Sequence, residues 1–126
     1  PMADKRLPGI AVADIGACAL GLFRRGAEVV GRRVGIAGEH LTGAQMAAAL
    51  SAALGQEVLY NYVPPEVYRT FGFPGAEDLA NMFQFKRDFE AYYCGARELA
   101  FARALHPGLQ TFAQWLAVHH SRIPLG

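Results

Sequence analysis

The most informative stretch of this sequence runs Gly72-Phe73-Pro74-Gly75-Ala76-Glu77-Asp78-Leu79-Ala80-Asn81-Met82-Phe83-Gln84-Phe85. The Pro74-Gly75 pair predicts a turn. Glu77 and Asp78 would then lie in the first turn of a helix, where the helix dipole favours negative charge. We therefore predict a helix that begins directly after Gly75.

This predicted helix has two unlike faces. One is an apolar stripe at i, i+3, i+4 and i+7 spacing, formed by Leu79, Met82, Phe83 and the stem of Lys86, which predicts packing on the core. The second face carries Asp78, Asn81, Phe85 and Asp88. Because that face mixes acid, amide and aromatic groups, it suits the wall of a cleft better than open solvent.

The composition limits the classes of protein to consider. At 126 residues the chain has the length of one domain. It is 52% apolar and only 18% charged, so we expect part of its apolar surface to be covered by a partner or by a second copy. With 12 basic and 11 acidic side chains and no strong basic cluster, the sequence does not predict binding to nucleic acid or to a membrane.

The same features predict where the protein is found. No apolar run approaches the roughly 20 residues of a membrane span, and the N-terminus lacks a signal-peptide pattern. Two cysteines, Cys18 and Cys94, are too few for a disulfide scaffold. We expect a cytoplasmic protein with two reduced thiols.

The rest of the sequence predicts short strands between helices. We predict strands at residues 10–13, 34–37 and 57–63, and expect the last two to lie parallel because the connection between them is long enough for a helix. Asp14 is placed to cap a first helix that ends at Gly26. Residues 89–95 are predicted to be an aromatic-rich connection.

Two capping boxes give the most secure helix starts. In each, a threonine is followed three residues later by a glutamine, as in Thr42-Gly43-Ala44-Gln45 and Thr111-Phe112-Ala113-Gln114. Gly55 is expected to end the first of these helices. In the second, we expect Phe112, Trp115, Leu116 and His119 to form the buried side.

The common catalytic and cofactor patterns are not found. The glycines of residues 31–38 fall mostly before or inside the predicted strand, whereas a dinucleotide-binding loop places them after it. The four histidines do not have metal-ligand spacing, and the serines have no evident base. Neither Lys5 nor Lys86 follows a tyrosine at the four-residue spacing of short-chain reductases. We predict no catalytic group, no metal site and no cofactor-binding residue in this chain.

Several segments together resemble the NmrA-like family, atypical short-chain dehydrogenase/reductases that bind NADP(H). The resemblance rests on residues 9–16, Leu41-Thr42 at a helix start, residues 71–85, and Leu105-His106-Pro107 leading to Thr111 and Trp115. Residues 71–85 look most like the animal NADPH-sensing branch. The resemblance covers nearly the whole chain but only the C-terminal part of a family member.

The resemblance implies an α/β protein, mostly helical with two or three short strands, in which residues 1–126 form a single substrate- or partner-side segment. It lacks the N-terminal Rossmann part that would hold NADP(H). The implied role is that of a redox sensor or regulator without catalytic groups. Two alternatives stay open: the substrate-binding portion of an NAD(P)H-dependent oxidoreductase resembling quinone reductases, and a self-associating interaction module.

The two-faced helix supplies the candidate site. Asn81 and Phe85 are the first candidates for contact with a substrate or partner, and Phe83, Arg87 and Tyr68 are further ones. For partners we expect the missing Rossmann part or another copy of the chain, with a regulatory protein as a further candidate.

Overall fold

The computed structural model describes residues 1–125. Two strands, β1 (Arg6–Gly9) and β2 (Glu39–Thr42), pair antiparallel with Arg6 opposite Thr42 and Gly9 opposite Glu39. The helices are α1 (Val12–Arg25), α2 (Gly43–Leu54), α3 (Pro65–Tyr68), α4 (Ala76–Asp88), α5 (Glu90–Gly95), α6 (Leu99–Leu105) and α7 (Phe112–His119). Short 3₁₀ helices follow α1 and α7, at Gly26–Val29 and His120–Arg122.

The helix ends follow local sequence signals. Thr42 accepts a hydrogen bond from the Gln45 amide at 3.1 Å, and Gln45 accepts one in return from the Thr42 amide at 2.9 Å. Thr111 and Gln114 repeat this arrangement at the start of α7. Gly55 closes α2 in the left-handed conformation with φ 68°. Both predicted capping boxes and this helix end are confirmed.

The core is assembled where α1 crosses α6. Cys18, Ala102, Leu105 and Leu109 are its buried members. Gly21 lets the backbones come together, since a Cβ at that position would approach the Leu105 carbonyl carbon to 2.9 Å. Around this core, α2 packs on α7, α3 on α4, and α5 on β1. The strand pair thus contacts α5 through β1 and α2 through β2.

The predicted strands are wrong in position. Residues 10–13 leave the sheet, because β1 ends at Gly9 and α1 begins at Val12. Asp14 is accordingly the third residue of α1 and not its cap, which is Ala11. Residues 34–37 form irregular chain, and the sheet of residues 1–125 contains no parallel pair.

Residues 57–63 are also irregular, despite their alternating pattern. The Val58 amide donates a hydrogen bond to Ser51 Oγ at 2.8 Å. A side chain of α2 therefore accepts the hydrogen bond that a neighbouring strand would accept in a sheet. Residues 90–95, predicted to be a connection, form α5. The fold class is nevertheless the predicted one: an α/β chain, mostly helical, with two short strands.

Candidate functional site

Helix α4 begins where the sequence predicts, but it buries a different stripe. Ala76 and Ala80 are its buried residues, whereas Leu79 is exposed. The predicted stripe therefore holds only in part, with Phe83 half-buried. Helix α4 packs on both α3 and α5.

The mixed face of α4 is open in this chain. Its members Asp78, Asn81, Phe85 and Asp88 are all exposed, and Phe85 retains 45% of its accessible surface. The face is therefore available to a ligand or to another protein surface.

Asn81 is oriented by Arg69, which lies just after α3. The Arg69 guanidinium donates to Asn81 Oδ1 through Nε at 3.2 Å and through Nη2 at 2.7 Å, and Nη2 also donates to Gln84 Oε1. Arginine has donors and no acceptor, so both amides must turn their oxygens toward it. The Nδ2 group of Asn81 is consequently left as a donor.

Tyr68 and Phe83 join α3 to α4 in an aromatic cluster. Their ring centroids are 6.0 Å apart in an edge-on arrangement, and Tyr68 also contacts Phe71 and Phe73 at 5.2 and 5.8 Å. Beside this cluster lies a shallow depression of about 560 Å³. Its lining includes Arg69, Phe71, Phe73, Asp78 and Asn81.

The remaining candidates lie apart from this depression. Phe85 packs on Phe89 at 5.1 Å between ring centroids. Arg87 binds Asp88 at 2.8 Å and donates to the Tyr62 hydroxyl at 3.1 Å. Its guanidinium holds the pKa of the Asp88 carboxyl below its usual value. The structure thus brings Tyr68, Phe83 and Asn81 to the junction of α3 and α4, while Phe85 and Arg87 contact other groups.

A second hollow was missed by the sequence analysis. This groove of about 640 Å³ lies between the β1–β2 strand pair, the first turn of α1, α2 and α7. Its apolar lining comprises Leu7, Ile10, Val12, Leu41, Met46, Phe112, Trp115 and Ile123. The i, i+3, i+7 spacing of Phe112, Trp115 and His119 was the available signal, and it predicted a buried helix side. Only Leu116 of that predicted side is fully buried.

Neither the Cys18 nor the Cys94 thiol is activated as a nucleophile, because the pKa of each is raised. Burial raises the pKa of Cys18, and the neighbouring Asp14 raises it further. Burial is also the main cause of the raised pKa of Cys94. Within residues 1–125, no three histidine, cysteine or carboxylate side chains cluster as a metal site would require. No helix in the same range has the length and apolar character needed to cross a bilayer.

Comparison with known proteins identifies the class of the fold. Two crystal structures of NmrA, one of a doubly substituted protein and one described as a negative transcriptional regulator, superpose with TM-scores of 0.71 and 0.70. They are 25% and 26% identical to this chain and cover 91% of it. The chain spans only 40% and 39% of their lengths.

The family follows from the sequence match. A model of the NmrA-like family matches residues 1–116. The chain belongs to the NmrA-like family, and its mostly helical α/β structure matches part of the Rossmann-type fold found in that family.

Proposed function

We propose that this chain is the C-terminal portion of an NmrA-like NADP(H)-binding redox-sensor or regulatory protein. In this proposal it supplies one wall of a cleft and an interaction surface, without a catalytic group. NADP(H) would be bound by a preceding Rossmann part, and the complete protein would act in the cytoplasm.

The amount of surface that the chain leaves open carries this proposal. Its accessible surface is 8050 Å², whereas a compact monomer of 13.6 kDa is expected to expose about 6,550 Å². The excess of about 1,500 Å² is nearly twice the roughly 800 Å² that one partner contributes to a standard interface. This difference supports a partner surface of the size found in obligate assemblies.

We propose that this partner packs on the exposed apolar residues of α1. Val12 and Phe23 of α1 are 83% and 82% exposed, and Ile15 between them is 44% exposed. Val12 and Phe23 project from the same side of α1, turned away from Cys18 and Gly21, and Ile15 lies between this side and the core. Val12 also lines the groove beside α7, so the face and the groove form a continuous surface. A Rossmann part of the same protein is our proposed occupant.

The cleft wall is proposed to be the mixed face of α4. Asn81 Nδ2 would donate to an acceptor on the ligand or partner, because Arg69 already occupies its oxygen. The exposed ring of Phe85 would pack against a planar group. Phe83 and Tyr68 would hold α4 in place, and Arg87 would border the wall.

A titration with NADPH tests whether the Rossmann part, and not residues 1–126, binds the nucleotide. We expect no saturable binding to residues 1–126 alone, and binding to a longer protein encoded by the reading frame upstream of Pro1. Asn81→Ala and Phe85→Ala in that longer protein should weaken ligand or partner binding while leaving its melting temperature nearly unchanged. Asn61→Ala, in an exposed and irregular segment, is the matched control.

Other outcomes would favour other functions. Turnover of NADPH with a quinone by the longer protein would favour an oxidoreductase. A tight dimer of residues 1–126 that Phe23→Ser disrupts would favour self-association. NADPH binding to the isolated chain would refute the proposal that only the Rossmann part binds the nucleotide.

A further inference from the structure

Two positively charged side chains, Lys86 and Arg97, contact the ring of Tyr93 near the end of α5. The Arg97 guanidinium lies over the ring of Tyr93, with its central carbon 3.7 Å from the ring centroid. Lys86 Nζ of α4 is 5.1 Å from the same centroid. These distances place the two positive charges within about 9 Å of each other.

Arg97 is held rigidly in this position. Its Nη1 donates to the Tyr93 carbonyl at 2.9 Å, and its own carbonyl accepts from His40 Nε2 at 3.0 Å. Gly35 packs so closely that a Cβ there would come within 2.9 Å of Arg97 Cγ. Stacking and one hydrogen bond hold the guanidinium itself, while the His40 bond and the Gly35 contact hold the Arg97 backbone and the start of its side chain. A side chain ordered before any ligand arrives lowers the entropic cost of binding.

The described residues 1–125 place no carboxylate in an ion pair with either cation, although Lys86 and Arg97 are both half-buried residues. The carboxylate of Glu90, also on α5, is bound by Arg6 through its backbone amide at 3.0 Å and its Nε at 2.7 Å. The charge of the pair is therefore left for an external anion.

We propose that Lys86 and Arg97 form a binding site for a phosphate group. A phosphate dianion matches two cations in charge, and its oxygens can accept from a fixed guanidinium and from an ammonium at the same time. The Nε and Nη2 groups of Arg97 make no other hydrogen bond in the described part of the chain. This site is independent of the function proposed above, since it uses neither the open face of α4 nor the groove.

NMR of the chain labelled with ¹⁵N in arginine and lysine tests the site. Inorganic phosphate added at constant ionic strength should shift the Arg97 Nε–H signal along a saturable curve, and chloride should not. Lys86→Gln and Arg97→Gln should each weaken binding about tenfold or more, because each removes a charge-assisted hydrogen bond. Arg24→Gln, an exposed cation on α1, should leave the affinity unchanged.

Titration with phenyl phosphate distinguishes a site for a phosphorylated ligand from a site for free phosphate. Tighter binding of the ester than of inorganic phosphate would assign the site to a phosphorylated ligand, and equal binding to free phosphate. The proposal is overturned by a linear shift, by equal effects of acetate and phosphate, or by an equal loss in Arg24→Gln. If Arg97→Gln fails to fold, Lys86→Gln still decides, because Lys86 only covers aromatic rings.

Discussion

Replacing Asp14 with alanine should destabilise the chain far more than replacing Asp78, although both acids are the third residue of a helix. Asp14 is 4% exposed. Its Oδ2 accepts from the Gln110 amide at 2.8 Å, and its Oδ1 accepts from Gln110 Nε2 at 3.2 Å and lies 3.5 Å from His106 Nε2. Asp78 is exposed in the first turn of α4 and has no such contact in residues 1–125.

The size of the difference follows from these contacts. Both substitutions remove the same favourable charge at a helix N-terminus, which is worth about 0.3–1 kcal/mol. Asp14→Ala also removes two hydrogen bonds to a charged acceptor, each worth about 1.5–3 kcal/mol, and leaves the partly buried Gln110 amide without a partner. We expect a loss of about 3 kcal/mol or more for Asp14→Ala and of less than about 1 kcal/mol for Asp78→Ala.

Urea unfolding followed by tryptophan fluorescence measures both values. Trp115 is the only tryptophan and lies on α7, which starts two residues after Gln110, so its signal reports the part of the chain that Asp14 holds. Asp14→Asn should be intermediate, because one amide oxygen can still accept from the backbone of Gln110. If the two alanine variants differ by less than about 0.5 kcal/mol, the Asp14 contacts do not stabilise the fold as argued.

Two further predictions concern other contacts. Glu90→Gln should reduce the loss of stability that the chain suffers in acid, because hydrogen bonds from Arg6 lower the pKa of Glu90. The stabilising contribution of Glu90 is present above its unfolded pKa of about 4.3 and is lost as the pH falls through the folded value. Thermal melts from pH 6 to 2 should show this difference, with Glu98→Gln as the control, and equal curves for Glu90→Gln and the unsubstituted chain would contradict it. Gly21→Ala should destabilise by about 1–3 kcal/mol, because its Cβ would press on the Leu105 backbone. Gly16→Ala, which faces open space, should instead stabilise α1 by about 0.5–1 kcal/mol, and a shift of the same sign in both variants would refute the close-packing argument.

Three open surfaces support the proposed function. The outer face of α1, the groove beside α7 and the mixed face of α4 are all exposed, although each carries apolar or aromatic side chains. A chain that spans about 40% of NmrA and leaves these faces open is consistent with the proposed role as one part of a larger regulatory protein.

The sequence by itself determined the features that depend on a few neighbouring residues. The capping boxes at Thr42 and Thr111, the turn at Pro74-Gly75 and the helix end at Gly55 all formed as predicted. In each case the interaction that favours the feature lies within about four neighbouring residues, so it does not depend on tertiary contacts. The family resemblance and the fold class were likewise predicted from the residues alone and are confirmed.

Only the tertiary structure decided which strands pair and which helix faces are buried. An alternating segment such as residues 57–63 becomes a strand only if a partner strand reaches it, and here the Val58 amide donates to the Ser51 hydroxyl instead. For α4, the packing of the folded chain buries Ala76 and Ala80 and leaves Leu79 of the predicted apolar stripe exposed. The Arg69–Asn81 contact, the groove and the Tyr93 cation pair join residues from separate elements, and such contacts depend on how the helices pack and not on the spacing of residues within any one of them.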